Sequence, residues 1–142
     1  MRLFLTSASV LALAGSPAVA AAETGTYAAH RPGLQVQLVV NGNQIVSSRI
    51  WARARCSDGH WGGVGIGLHG PSQWIGITSS GSFELKRNGY GLRVHLAGRV
   101  HGEVITGTFA QWERREQQGI TCGTGAPGHR ALKFAARLAP RP

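Results

Sequence analysis

Apolar and polar residues alternate along most of this chain, which is the pattern of β-strands that bury one face. The alternation is clearest from Leu34 onward, where the apolar positions are Leu34, Val36, Leu38 and Val40. Asn41-Gly42-Asn43 follows, and it favours a hairpin because Asn and Gly accept positive φ at little cost. Residues 45–56 alternate in the same way, so they are predicted to form the returning strand.

Short segments of the same kind recur to the C-terminus, separated by turns rich in Gly, Pro, Asn and Ser. Strands are predicted at 62–70, 74–78, from 83, and at 92–101, 105–112, 120–123 and 132–138. Arg87-Asn88-Gly89 is predicted to turn the strand that begins at 83, and 112–119 has room for one helical turn. Turn signals about every 8–12 residues are typical of a sandwich or barrel. We therefore predict an all-β fold, an antiparallel β-sandwich or β-barrel of about eight to ten short strands.

The first 20 residues have the features of a signal peptide. Arg2 supplies a positive start, residues 3–13 form an apolar stretch, and Ala18-Val19-Ala20 gives the small-x-small pattern that signal peptidases accept. The predicted cleavage follows Ala20, with Ala22 as the alternative. The apolar stretch is shorter than the roughly 20 residues that span a bilayer. An uncleaved anchor is the other interpretation of this segment.

Cleavage after Ala20 divides the chain into a signal peptide at 1–20, a lead-in segment at 21–33 with a candidate strand at 26–29, and a single β domain at 34–139. The remaining 142 − 20 = 122 residues suit one hydrophobic core. Charges and glycines interrupt every later apolar run, so we predict no integral membrane segment after cleavage. The expected location is the periplasm or the outside of the cell.

The chain has two cysteines, Cys56 and Cys122. Cys56 lies on the same predicted strand face as Ala52 and Ala54, which is the small, apolar face. An even number of cysteines in an exported chain indicates one disulfide, Cys56–Cys122. Two free, buried thiols are the alternative. Neither cysteine belongs to a CxxC motif, so neither thiol–disulfide catalysis nor a cysteine zinc site is indicated.

The chain is basic, with a formal net charge of +9 that falls to +8 without Arg2. Lys86 and Lys133 are its only lysines, so arginine carries nearly all of the positive charge. Arginine suits bidentate contacts with phosphate, sulfate or carboxylate. The alternative explanation of this bias is the base composition of the genome.

Residues 65–70 spell GxGxxG, the fingerprint of a dinucleotide-binding loop. That loop must open a helix, whereas Pro71-Ser72 follows here. Glycine in a crowded β-structure is the better explanation of the string. No GxSxG motif is present, so no serine nucleophile is indicated.

The carboxylates and histidines also fail to indicate a catalytic site. Glu84 and Glu103 are a conceivable glycosidase pair, but both occupy positions suited to plain solvation. His95 and His101 share a strand face six residues apart, about 20 Å in an extended chain, which is too far to bind one metal ion. We assign no catalytic residue, no metal ligand and no cofactor. Whether the protein is an enzyme is left open, with a non-enzymatic role favoured.

Two basic strand faces are the strongest functional feature of the sequence. The residues of the first are Arg49, Trp51, Arg53 and Arg55, and those of the second are Arg93, His95, Arg99 and His101. If the two strands belong to one sheet, its outer face is a cationic platform that attracts polyanions, with Trp51 able to stack on a sugar or an arginine. An ordinary solvated face is the other explanation. Trp61 and Trp74 lie on or beside loops, where they suit either sugar binding or capping of the core.

The second half of the chain resembles a recurring exported β-domain of bacteria with paired cysteines. The matching segments are ITSSGSF at 77–83, VHLAG at 94–98, ITGTF at 105–109, CGTG at 122–125 and FAAR at 134–137. Similar sequences often have tryptophan where this chain has Phe134. The resemblance implies the fold, and it carries over no functional residue because these domains have no assigned activity.

The leading hypothesis is an exported, non-enzymatic binding or envelope-associated protein whose basic face takes anionic ligands. The expected partner is an anionic glycan, lipopolysaccharide or another polyanion of the cell envelope. The alternatives are a hydrolase of cell-envelope polymers and a secreted enzyme inhibitor that uses a loop such as 58–63. The sequence does not indicate the oligomeric state.

Overall fold

A computed structural model describes residues 22–125 and 130–141, which form one antiparallel β-structure. Its strands are β1 (Gly25–Arg31), β2 (Leu34–Asn41), β3 (Gln44–Cys56), β4 (Trp61–His69), β5 (Ile75–Gly76), β6 (Ser82–Gly89), β7 (Leu92–His101), β8 (Val104–Arg115), β9 (Ile120–Thr124) and β10 (Leu132–Leu138). Short 3-10 turns occupy Pro71–Gln73 and Glu116–Gln118. The predicted all-β fold is confirmed.

Six of these strands close into a barrel in the order β10, β1, β2, β3, β9, β8, because β10 pairs with both β1 and β8. The remaining strands extend from the other edges of β3 and β8. Arg55 of β3 shows this arrangement, since it pairs with Gly123 of β9 on one edge and with Trp61 of β4 on the other. β5 also pairs with β3, while β7 pairs with β8 and β6 with β7. Because these six strands close on themselves, the fold is a barrel and not an open sandwich.

In β2 and β3, buried and exposed residues alternate just as apolar and polar residues alternate in the sequence. The apolar positions of β2 are buried, and so are Ile50, Ala52, Ala54 and Cys56 of β3, with the arginines between them exposed. Because successive strand residues point to opposite faces, this pattern places the arginines outside the barrel. Cys56 points inward, as its sequence position predicts.

The barrel begins earlier than the alternation suggests. β1 lies within the predicted lead-in segment 21–33 and pairs with β2 along its whole length. Tyr27 is its one large buried side chain, and the hydroxyl lies 2.8 Å from the carbonyl oxygens of both Glu23 and Gly102. Ala28 and Ala29 follow Tyr27, and their small side chains give little contrast between faces. Pairing with β2 and β10, rather than a strong local pattern, therefore defines this strand.

Two predicted boundaries are wrong. Arg87-Asn88-Gly89 is not a turn, because β6 continues through Gly89 and the chain reverses at Tyr90-Gly91. Both turn residues have positive φ, 50° at Tyr90 and 74° at Gly91, as a two-residue hairpin turn of type I′ requires. β8 continues three residues beyond the predicted end at Trp112, to Arg115, because β9 pairs with it there.

The predicted signal peptide at 1–20 and its cleavage after Ala20 lie outside the described residues. Within the part of the chain that the structure describes, no helix is long and apolar enough to cross a bilayer.

Two phenylalanines of the hydrophobic core pack over glycines of the neighbouring strands. Phe83 pairs with Gly98, Gly98 with Gly107, and Gly107 with Phe134, in one row across β6, β7, β8 and β10. A Cβ on Gly98 would lie 2.7 Å from the Phe83 ring, and one on Gly107 would lie 2.7 Å from the Phe134 ring. The glycines therefore provide space for the two buried rings.

The disulfide joins direct neighbours on β3 and β9, Cys56 and Cys122, with 4.0 Å between their Cα atoms. The predicted disulfide is thus confirmed, and no free cysteine occurs in the chain, whose two cysteines both lie in the described part. Both residues are buried. The bond ties β9, a strand of five residues, to the end of β3.

We expect loss of the disulfide to lower the free energy of unfolding by about 4 kcal/mol, because it closes a loop of 66 residues in the unfolded chain. Urea denaturation of the oxidised protein and of the Cys56→Ala/Cys122→Ala variant measures this difference. Equal unfolding free energies would show that β9 is held without the bond.

Adding a methyl group beneath either phenylalanine should destabilise the protein. We expect Gly98→Ala and Gly107→Ala each to cost about 3 kcal/mol or more, because the added Cβ meets a backbone carbonyl oxygen of the next strand as well as a phenylalanine ring. Gly76→Ala is the matched control, because a Cβ there meets nothing within 4 Å. Thermal denaturation compares the three variants, and a Gly76→Ala variant as unstable as the other two would contradict this account.

Candidate functional site

The outer side of β3, together with the start of β4, forms a surface that we call the Arg–Trp face. Its residues are Arg49, Trp51, Arg53, Arg55 and Trp61, and all five are exposed. Trp51 is 44% and Trp61 45% exposed, which is unusual for side chains of this size. The alternation of β3 explains why the three arginines and Trp51 share one side.

Trp61 organises the positive charge of this face. The guanidinium carbon of Arg53 lies 4.3 Å from the centre of the Trp61 ring, and that of Arg55 lies 5.0 Å from it. Such cation–π contacts restrict both side chains while their N–H groups keep the capacity to bind an anion. Among the described residues, Arg115 is the only arginine within 4 Å of a carboxylate. The charge of the Arg–Trp face is therefore not neutralised by neighbouring side chains.

The glycines of β4 explain how Trp51 lies on this surface. Gly63, Gly65 and Gly67 alternate along the outer side of β4, opposite Arg53, Trp51 and Arg49 of β3 respectively. A Cβ on Gly63 would lie only 2.4 Å from the indole nitrogen of Trp51, so the ring rests on the bare backbone of β4. The GxGxxG string at 65–70 belongs to this strand and the turn after it, and its first two glycines are part of this bare surface.

A second basic surface lies on β6, β7 and β8 and contains a pocket of about 280 Å³. Its lining residues are Lys86, Asn88, Arg93, Val94, His95, Ala110, Gln111 and Trp112. The Arg93 guanidinium carbon lies 5.4 Å from the centre of the Trp112 ring. We call this site the β7 pocket. The sequence indicated Arg93 and His95 but not Lys86, Asn88 or Trp112, whose contribution follows from strand pairing.

The two surfaces belong to one sheet but not to one platform. Arg55, Gly123, Trp112 and Arg93 lie in one row across β3, β9, β8 and β7. The sheet curls between its two ends. A hydrogen bond shows this, since Gln111 Nε2 of β8 donates across the interior to Gly65 O of β4, at 3.2 Å. The strands that carry the arginines are therefore not neighbours, and the Arg–Trp face and the β7 pocket are separate surfaces.

Arg99 and His101 belong to neither surface. They occupy the far end of β7, where Arg99 pairs with Thr106 and His101 with Val104. Arg99 lies six residues from Arg93, which is about 20 Å along a strand. Sharing a strand face placed these residues in one predicted group, but the length of the strand separates them.

One carboxylate lies beside the β7 pocket. Glu84 Oε2 is 2.9 Å from His95 Nε2, and Glu84 Oε1 is 3.7 Å from Lys86 Nζ. The hydrogen bond from His95, aided by the charge of Lys86, holds the pKa of the Glu84 carboxyl below its ordinary value. This carboxylate offsets part of the positive charge at the pocket, whereas the Arg–Trp face has no such partner within the described chain.

The structure offers little support for the other chemistries that the sequence raised. Glu84 is engaged with His95 and Lys86, and Glu103 lies in the turn between β7 and β8. Among the described residues, no cluster of three or more His, Cys, Asp or Glu side chains could hold a metal ion. The loop proposed for an inhibitor contains a hydrogen bond between His60 Nδ1 and the carboxylate of Asp58.

Comparisons with family models, with curated proteins and with solved structures gave no significant match to this chain.

We expect His95→Ala to raise the pKa of Glu84 towards its ordinary value, because the main cause of the depression is lost. Lys86→Gln, the comparison variant, should raise it less. Carboxyl chemical shifts followed by NMR against pH measure both changes. A carboxyl group whose pKa is depressed by folding stabilises the folded state at pH values above its ordinary, unfolded pKa. This contribution is lost as the pH falls through the folded pKa. An unchanged Glu84 titration in His95→Ala would contradict the assigned hydrogen bond.

Proposed function

We propose that this protein binds anionic glycan chains of the cell envelope through the Arg–Trp face, without catalysing a reaction. The observation that carries the proposal is the stacking of Arg53 and Arg55 on the exposed Trp61 ring. Two guanidinium groups are thereby held side by side at the surface without a carboxylate partner among the described residues. Sulfate, phosphate and carboxylate groups are the ligands that match guanidinium geometry.

The aromatic residues favour a glycan among polyanions. Trp51 and Trp61 each present a large exposed ring next to arginines of β3. A sugar unit offers an apolar ring face for stacking, together with the acidic group that an adjacent arginine binds. Lipopolysaccharide presents both kinds of group in its charged sugars.

The proposed location is the periplasm or the outside of the cell. The buried Cys56–Cys122 disulfide supports it, because such bonds persist in oxidising compartments. The predicted signal peptide at 1–20 supports it from the sequence.

Retention on a heparin column, a sulfated glycan, tests the proposal. We expect wild-type protein to elute only at high salt, because exposed charges are screened as ionic strength rises. Arg53→Gln/Arg55→Gln should weaken binding roughly ten- to a hundred-fold, from the loss of charge-assisted contacts. Trp61→Ala should weaken it with no change of charge.

Arg99→Gln/Arg137→Gln is the matched control, since it removes the same charge from exposed positions on β7 and β10. The proposal requires this control to stay close to wild type. If both double variants lose the same retention, binding follows net charge and not the Arg–Trp face. Elution of the wild type at low salt would also refute the proposal, and equal retention on a DNA column would refute the preference for glycans.

A further inference from the structure

The β7 pocket lies where the strand paired with one edge of β8 changes from β10 to β9. β10 pairs with β8 as far as Phe109, and β9 begins to pair with it at Trp112. Ala110 and Gln111 lie between these two pairings, and no described residue pairs with them as a strand partner on that edge. The backbone N–H of Gln111 instead donates to the hydroxyl of Thr124, at 3.1 Å. The pocket is therefore built at a break in the sheet.

Ala110 gives the pocket its shape. On the outer side of the sheet it pairs with His95, while the next outward residue of β8, Trp112, pairs with Arg93. On β6, Lys86 and Asn88 complete the same two rows. The methyl group of Ala110 thus lies among much longer side chains, and this difference in size creates the depression.

The pocket brings together three kinds of group that a charged sugar needs. Arg93, Lys86 and His95 provide positive or hydrogen-bonding groups, Asn88 provides an amide, and Trp112 provides an aromatic ring. The volume of about 280 Å³ is near the lower limit of small-molecule sites, which span about 300–1,000 Å³. This size suits a single ring better than a long chain.

The side chain of Gln111, beside Ala110 in the sequence, points to the inner side of β8. Gln111 is 3% exposed, and its Nε2 is used in the bond to Gly65 O. Its Oε1 is buried without a hydrogen-bond donor among the described residues. Buried acceptors normally have a donor, because an unmade hydrogen bond costs free energy. This acceptor lies on the inner side of β8, so it does not contribute to the pocket on the outer side.

We propose that the β7 pocket binds one sugar ring that carries a carboxylate or a phosphate group. The acidic group lies against Arg93 and Lys86, and the ring lies against Trp112. Because Glu84 offsets part of the charge, the pocket suits a single acidic group, in contrast to the extended, unneutralised Arg–Trp face. This inference does not depend on the function proposed above, since the two sites share no residue.

NMR titration of the 15N-labelled protein with small probes tests the pocket. We expect glucuronate and glucose 6-phosphate to shift the amide signals of Arg93, Ala110 and Trp112, with dissociation constants in the millimolar range. Glucose should bind at least about tenfold more weakly, because it lacks the group that pairs with Arg93. A hyaluronan tetrasaccharide, which ends in glucuronate, distinguishes the sources: tighter binding than free glucuronate indicates a chain end, and equal binding indicates a free sugar acid.

Ala110→Leu is the decisive variant, because it fills the depression without altering charge. We expect it to abolish glucuronate binding, and Arg93→Gln to weaken binding about tenfold or more. Arg99→Gln, on the same strand but outside the pocket, should bind like the wild type. Thermal denaturation and the dispersion of the NMR spectrum show whether each variant is folded, and Arg93→Gln provides the test if Ala110→Leu does not fold.

The two proposals can fail separately. Arg53→Gln/Arg55→Gln should lose heparin retention but keep glucuronate binding. Ala110→Leu should keep heparin retention but lose glucuronate binding. Unchanged glucuronate binding in folded Ala110→Leu, or equal affinity for glucose and glucuronate in the wild type, would overturn the proposed pocket. Shifts confined to residues of the Arg–Trp face would overturn it as well.

Discussion

The attachment of β9 to both β3 and β8 is the constraint on which the other features depend. β9 has only five residues, so its backbone hydrogen bonds alone are few. The Cys56–Cys122 bond fixes its register against β3, and pairing of Gly123 with Trp112 fixes it against β8. This connection closes the barrel, turns the outer side of β3 away from that of β7, and creates the strand exchange at Ala110.

Small residues have two different uses in this barrel. Inside, Gly98 and Gly107 make room for Phe83 and Phe134, so that large rings fill a narrow core. Outside, Gly63 leaves the backbone of β4 bare, and the indole of Trp51 rests on it. The same absence of a side chain thus permits dense packing on one face and an accessible aromatic surface on the other.

The charge distribution separates two kinds of recognition. On the Arg–Trp face, aromatic stacking rather than carboxylates holds the arginines, so their charge remains available to a polyanion. At the β7 pocket, Glu84 engages His95 and lies near Lys86, and the remaining charge sits in a concave site. A long anionic chain suits the first arrangement, and a single acidic ring suits the second. Both depend on arginine, whose planar group stacks and binds anions at the same time.

The sequence by itself determined which residues of each strand share a face. Period-two alternation placed the arginines of β3 outside and Cys56 inside, because side chains of an extended chain must alternate. It also predicted the all-β class and the disulfide. It indicated β1 only as a candidate strand at 26–29 in a lead-in segment outside the domain, because Ala28 and Ala29 after Tyr27 give too little contrast between faces.

Only the tertiary structure decided which faces meet. Whether Arg93 lies near Trp112 or near Arg49 depends on the order and register of strands far apart in sequence, and alternation within a strand contains no information about either. The curl shown by the bond from Gln111 to Gly65 separated two basic faces that the sequence suggested as one platform. The exchange of β10 for β9 along β8 is likewise a long-range property. Strand faces follow from local geometry, whereas sites between strands follow from closure of the barrel.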